Sequence, residues 1–416
     1  MSRTAPQSLR EGFTTGTAAA GAALAALILL RTARAPQSVR VPLPPFTPAA
    51  GGDSFSGRRA RDWRVLSVAR CAPGLAPELA DQPLPKAGER LTRGPTPSLA
   101  DRGALRAAHA SILKDGGDDP DATSGALITA SVVLRQRPAR PLSPEDAAFT
   151  RIEGGPGVGR VTLPGLPLPV GAAAINPAPQ EQIRFALGRE AARLAALGAS
   201  CPPLTVIISV PRGADMARHT FNPRLGIVGG ISILGTQGTV RPYSHAAWRA
   251  TIEQGLRVAL ATGCRTVCLS TGRRSEKLLM ARYSDLRPQS FVQAADFAEF
   301  SLREAGALPF ERLIWGCFFG KLVKLAQGHA YTHARDAGLD MAALAELCRK
   351  AGVACAPAVA ACVTAARALE LLLTDPAGPD ALAAVARRAA RTARNFAGRP
   401  VALHLFHTDG RELLAL

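Results

Sequence analysis

FNPRLGIVGGISILGTQGTV, residues Phe221–Val240, gathers five glycines (Gly226, Gly229, Gly230, Gly235 and Gly238) around one fixed charge, Arg224. Glycine serves where the chain needs positive φ or where a ligand must approach bare backbone. The segment therefore predicts a ligand-holding hinge on a short apolar strand, with Arg224 and Ser232 as polar handles. It divides the chain into residues 1–220 and 221–416.

Length agrees with that division. A chain of 416 residues exceeds the size at which one hydrophobic core keeps growing, so two domains are expected. With 47% hydrophobic and 20% charged residues, there is apolar surface enough for both. Fifty Lys and Arg against 32 Asp and Glu give a formal charge of +18, which concentrates anions around the protein. Nucleic acid, anionic lipid and a polycarboxylate metabolite all suit that balance. The basic residues never form a block of about five or six, however. Aromatic residues are only 5%, whereas a groove for single-stranded nucleic acid stacks rings beside its cations. A basic nucleic-acid-binding protein without enzymatic activity thus stays as the weaker reading. The eight cysteines are scattered, and only Cys264 and Cys268 are close in sequence. Neither a disulfide framework nor a zinc site is indicated, and reduced thiols in a cytoplasmic protein are expected.

Toward the N-terminus, residues 17–30 (TAAAGAALAALILL) predict an apolar helix, shorter than the roughly 20 residues that span a bilayer. Thr14, Thr15 and Thr17 at its entrance predict a capped start that offers amide groups to an anion. A secretory leader is the rival, because Arg3 and Arg10 precede the apolar run and Ala33-Arg34-Ala35 mimics a cleavage site. An exported structural protein would then begin near Pro36. Residues 42–103 are crowded with Pro and Gly and read in part as an inserted surface loop, with one strand at 63–71.

KDGGDDPDAT (114–123) is predicted to follow a short helix. Gly116, Gly117 and Pro120 force a turn that holds Asp118, Asp119 and Asp121 together. Such carboxylates can chelate a divalent cation, accept ribose hydroxyls or take up a proton, and equally can form a solvated turn. GGPGVGRVTLPGL (154–166) has the look of a phosphate loop, but Arg160 and Val161 stand where that motif needs Lys and Ser or Thr. An NTPase is excluded.

Hydrophobic periodicity predicts strands at 126–134 and 204–210 with a helix at 179–197 between them, giving an α+β domain over residues 1–220. Beyond the glycine stretch, helices are predicted at 244–262, 291–305, 321–327, 341–373 and 380–395, with strands at 266–269, 312–318 and 401–407. This alternation predicts parallel βαβ units in a Rossmann-like α/β domain over 221–416, with ligands beyond the carboxyl ends of the strands. Thr271, Gly272 and residues 316–321 fall at such ends. His329 and His333 have the spacing of a helical metal pair, yet no Glu follows His329, which excludes a metalloprotease helix.

Seven blocks carry a resemblance: GFTTGTAAA (12–20), KDGGDDPDAT, GGPGVGRVTLPGL, AINPAPQEQI (174–183), NPRLGIVGGISILGT (222–236), LSTGRRSE (269–276) and GKLVKLAQG (320–328), followed by Thr332 and His333. In this order they resemble the cobalt-precorrin-5B C1-methyltransferase (CbiD) family of cobalamin biosynthesis, over roughly three quarters of the chain. The resemblance implies transfer of a methyl group from S-adenosylmethionine to C1 of a corrinoid precursor. That chemistry needs alignment of donor and acceptor rather than a protein nucleophile. The family commonly carries a cysteine where Ala18 stands, so no thiol is needed there.

By this resemblance Gly229, Gly230, Ser232, Gly235, Thr236, Thr271 and Gly272 line a backbone-rich nucleoside pocket. Thr14, Thr15, Thr17, Lys114, Arg224, Lys321, Lys324 and His333 face the polycarboxylate tetrapyrrole. Asp119 and Asp121 are the candidate catalytic carboxylates, and the cleft is expected between the two domains. No metal held by the protein, no nucleic acid and no membrane enter this reading, and association into a homo-oligomer stays open.

Overall fold

A computed structural model describes residues 9–48, 54–55, 58–80, 106–135, 150–198 and 202–416. The chain is mixed α/β and forms two compact units. One comprises Met1–Leu163 with Pro167–Ser244, the other Pro164–Leu166 with His245–Leu416. The division thus falls after Ser244, not at residue 220. The physical reason is strand pairing. Ile227–Val228 pairs with Arg160–Val161, Gly230–Ile231 with Gly157–Val158, and Thr239–Val240 with Gly12–Phe13, which fastens the glycine stretch to the first unit.

The first unit is built on a five-stranded sheet in the order Arg70–Pro73, Ala107–Leu113, Leu127–Leu134, Leu204–Ser209 and Thr150–Gly154. All its neighbours are antiparallel except the last pair. Ser38–Pro48 and Arg58–Ser67, with Ser54–Phe55, make a second, three-stranded sheet where the Pro-rich composition predicted mainly loop. KDGGDDPDAT therefore follows a strand, Ala107–Leu113, and not a helix. The part of the predicted inserted loop at 81–105 lies outside the described residues.

Between these sheets runs the helix Thr15–Thr32, which packs against Pro177–Ala196. It is 18 residues long and, contrary to the expectation from residues 17–30, long and apolar enough to cross a membrane. Its surroundings show its role, since 83% of it is buried. A helix apolar on every side is the core element of a unit. Ala22, Ala26, Leu27 and Leu30 join Val41, Leu66, Ile112, Ile128 and Ile183 in one cluster. Ala18, fully buried, belongs to the same packing. A cut near Pro36 would remove this core helix from the first unit.

The second unit has a five-stranded sheet in the order Phe291–Gln293, Thr266–Ser270, Arg312–Phe318, Ala402–Phe406 and Glu412–Ala415. The first four are parallel and the last is antiparallel. Numbered within this sheet, the order is 2-1-3-4-5. Alternate residues enter opposite layers. Val267, Leu269, Leu313, Trp315, Leu403 and Leu405 pack with the helices Ala298–Gly306, Phe319–Ala326 and Gly378–Ala397. Cys268, Ile314 and Phe406 pack with Leu279 of Arg273–Arg282 on the other face. Burial on both faces is what near-continuous apolar parallel strands require. The segment predicted as a helix at 291–305 is a strand followed by the helix Ala298–Gly306.

Candidate functional site

In the first unit the entrance of Thr15–Thr32 meets the glycine stretch. The Thr14 amide donates to the Gly238 carbonyl at 3.0 Å and the Gly16 amide to the Leu234 carbonyl at 3.1 Å. Thr14 Oγ1 caps the Thr17 amide at 3.2 Å, Thr15 Oγ1 accepts from the Leu234 amide at 2.9 Å, and Thr17 Oγ1 donates to Gly238 at 2.8 Å. Thr14, Thr15 and Thr17 are all buried. The expected anion seat is thus filled by residues 234–238. These threonines act as a clamp on the glycine stretch.

The glycines of that stretch divide by environment. A Cβ on Gly230 would lie 2.2 Å from the Gly157 carbonyl oxygen, and one on Gly235 2.4 Å from Thr14. These two serve close packing. Gly229 is exposed, with φ +83° and open space around it. Ser232 is buried and donates to Asn222 at 3.0 Å, while Thr236 is exposed. Arg224 is half-buried beside the turn that opens the stretch.

The Asp-rich loop adjoins the same entrance. The Phe13 amide donates to Asp115, and Glu11 bridges Gly117. Asp118 accepts from the Arg10 amide at 2.6 Å, and Asp119 accepts from the Tyr243 amide at 2.9 Å. Asp121 pairs with the buried Lys114 ammonium and accepts from the Thr123 amide and hydroxyl, each at 2.7 Å. Burial pushes the Asp121 carboxyl up, but the Lys114 charge and the hydrogen bonds from Lys114 and Thr123 outweigh it and hold the group below its ordinary range. Lys114, 2% exposed, is committed to this loop. Three sequence blocks far apart in the chain therefore come together here, with Lys114 and Asp121 holding the loop and Asp119 half-buried at its rim.

In the second unit, Thr266–Ser270 runs into Thr271 and Gly272, which precede the helix Arg273–Arg282. The strand order reverses between Thr266–Ser270 and Arg312–Phe318. Ligands of such sheets bind at the carboxyl ends beside that reversal. Gly272 has extended backbone, φ 160°, and a Cβ added there would touch nothing within 4 Å. Neither conformation nor packing requires a glycine at this position. The buried Ser270 hydroxyl has no hydrogen-bond partner among the described residues. Behind it Gln293 donates to the buried Glu276 at 2.6 Å.

The next strands place charges at the same edge. Asp296 follows Phe291–Gln293 and pairs with Lys321 in the first turn of Phe319–Ala326. Lys321 also donates to the Thr332 carbonyl at 3.0 Å, and Thr332 Oγ1 donates to Asp296 at 3.2 Å. Burial, and then the neighbouring Lys324, push the Lys321 ammonium down to about 8. His333 contacts Asp336 at 3.4 Å and stacks at 6.0 Å on Tyr331. His329 and His333 lie outside any helix, so their spacing does not make a helical metal pair. Asp296 was missed in the sequence because the short strand before it was read as helix; the apolar Phe-Val pair ahead of Gln293 was the available signal.

The CbiD family matches residues 2–50 and 97–242, and the CbiD C-terminal domain family matches residues 331–415. A protein of Nitratidesulfovibrio vulgaris named cobalt-precorrin-5B C(1)-methyltransferase is 49% identical, over 97% of this chain and 92% of its own. One of the same name from Salinispora arenicola is 40% identical, over 97% of this chain and 91% of its own. A crystal structure of the cobalamin biosynthesis protein cbiD from Archaeoglobus fulgidus is 22% identical, covering 76% of this chain and 78% of its own, at a TM-score of 0.34, too low to support a structural argument.

Proposed function

The chain belongs to the CbiD family, and on that premise we propose that it transfers a methyl group from S-adenosylmethionine to C1 of cobalt-precorrin-5B, giving cobalt-precorrin-6A in corrin ring biosynthesis. The observation that carries this reading is the 49% identity to a cobalt-precorrin-5B C(1)-methyltransferase across nearly both full lengths. The second unit is read as a Rossmann-like domain, supported by its 2-1-3-4 parallel order. A cytoplasmic enzyme acting on a small-molecule tetrapyrrole follows from the same premise.

The cofactor supplies a methyl group already activated on a sulfonium. A nucleoside fits the edge of the second unit, where Thr271, the open Gly272 and the orphaned Ser270 hydroxyl stand together. These residues would hold it, while Glu276 and Gln293 buttress the loop from behind. Gly230, Ser232 and Gly235, read earlier as part of that pocket, are here assigned to building the first unit; Gly229 and Thr236 keep an exposed place beside them. Arg224 is assigned to a carboxylate arm of the tetrapyrrole, which a guanidinium can grip bidentately. Asp119 is assigned to any proton the ring loses, since its carboxylate lies at the rim while Asp121 is engaged with Lys114. Alignment of donor and acceptor supplies most of the rate, on the order of 7–11 kcal/mol of barrier.

Calorimetric titration with S-adenosylhomocysteine tests the cofactor assignment. Saturable binding that is weakened in Gly272→Val is expected. Absence of binding, with a corrinoid present as well, would contradict the assignment.

A further inference from the structure

Lys324 is 7% exposed, and among the described residues its ammonium donates to one partner, the Thr332 carbonyl oxygen at 2.9 Å. That carbonyl is shared with Lys321, and the carboxylate that accompanies the two lysines, Asp296, is engaged by Lys321 and Thr332. Among the described residues, two ammonium groups therefore stand with a single carboxylate. Burying a cation against one neutral carbonyl is costly unless an anion completes the site. The helix Phe319–Ala326 gives the pair its geometry, for residues three apart lie on one face.

The cluster also stands where a ligand is expected. Asp296 follows the second strand of the sheet and Lys321 begins the helix after the third, and these strands flank Thr266–Ser270 on its two sides. We propose that Lys324, together with Lys321, receives one carboxylate of a bound ligand at this carboxyl edge. The inference rests on the methyltransferase reading, which offers two sources of that group: the methionyl carboxylate of the cofactor and an acid arm of the tetrapyrrole. Lys324 is among the buried residues of its helix, so the site costs stability in the free protein and is completed by the ligand.

Three probes separate the sources: S-adenosylhomocysteine, 5′-methylthioadenosine, which lacks the amino-acid moiety, and the polycarboxylate tetrapyrrole uroporphyrin. Each is titrated by calorimetry into wild type, Lys324→Met and Lys321→Met, with melting temperatures recorded in parallel. Lys324→Met is expected to melt no lower than wild type and to lose about tenfold or more in affinity for one carboxylate ligand, with 5′-methylthioadenosine unaffected. Loss for S-adenosylhomocysteine identifies the cofactor carboxylate; loss for uroporphyrin identifies a substrate arm. Lys321→Met, more exposed, is expected to show the same loss and decides the matter should Lys324→Met fail to fold. Wild-type binding that both variants retain overturns this inference alone. Wild type that binds neither carboxylate ligand overturns the proposed function along with it.

Discussion

Adjacent residues of the glycine stretch bear different loads. A methyl group on Gly230 would meet backbone that cannot move away, so Gly230→Ala is expected to destabilise the protein by about 1–3 kcal/mol, as overpacking does. Gly229→Ala has space but a left-handed φ, and about 1–2 kcal/mol is the upper expectation. Denaturant unfolding of the two variants checks the order. The carboxylates of the Asp-rich loop separate similarly. Because Asp121 titrates below its ordinary range in the folded protein, its stabilising contribution is full above about pH 4 and is lost as pH falls through the folded value. Asp121→Asn should therefore lower stability at neutral pH and flatten the acid side of a melting-temperature profile. Asp119→Asn should lower turnover. Residue types alone did not distinguish these carboxylates, because Lys114 and Tyr243 become their partners only once the loop and the end of the glycine stretch are folded together.

At the scale of elements, legibility followed burial. Arg312–Phe318 was read with its observed bounds, and Thr266–Ser270, Leu204–Ser209 and Leu127–Leu134 to within a residue, because strands covered on both faces are continuous apolar runs. The prolines of Ser38–Pro48 made its residues from 42 onward read as part of a loop, yet an edge strand tolerates them. Glu412–Ala415 was too short and too mixed to register. The site was legible only in part. Thr271 and Gly272 could be placed at a strand end from the alternation of elements, but the Lys321, Asp296 and Thr332 cluster joins three segments whose proximity no local pattern carries. One glycine of the parallel sheet and one in the loop beyond its first strand give a test at this scale. In Gly316→Ala the new methyl would press on Leu279 in the facing helix, 2.5 Å away, and a loss of about 1–3 kcal/mol is expected. Gly272→Ala should unfold as wild type does while its affinity for S-adenosylhomocysteine falls. Equal stability loss in both variants would assign Gly272 to the scaffold.

Over the whole molecule, the +18 charge suits a polyanionic small molecule. It was readable from composition, whereas the division into units was not: the densest run of small residues looked like a hinge, yet its strands pair back to residues 12–13 and 157–161. The account rests on methyl transfer to one carbon of a tetrapyrrole. The most direct test is to incubate the purified protein with cobalt-precorrin-5B and S-adenosylmethionine carrying a ¹³C-labelled methyl group, then locate the label by NMR. The account predicts a single new methyl on C1 and stoichiometric S-adenosylhomocysteine; no label in the macrocycle, or label at another carbon, would contradict it.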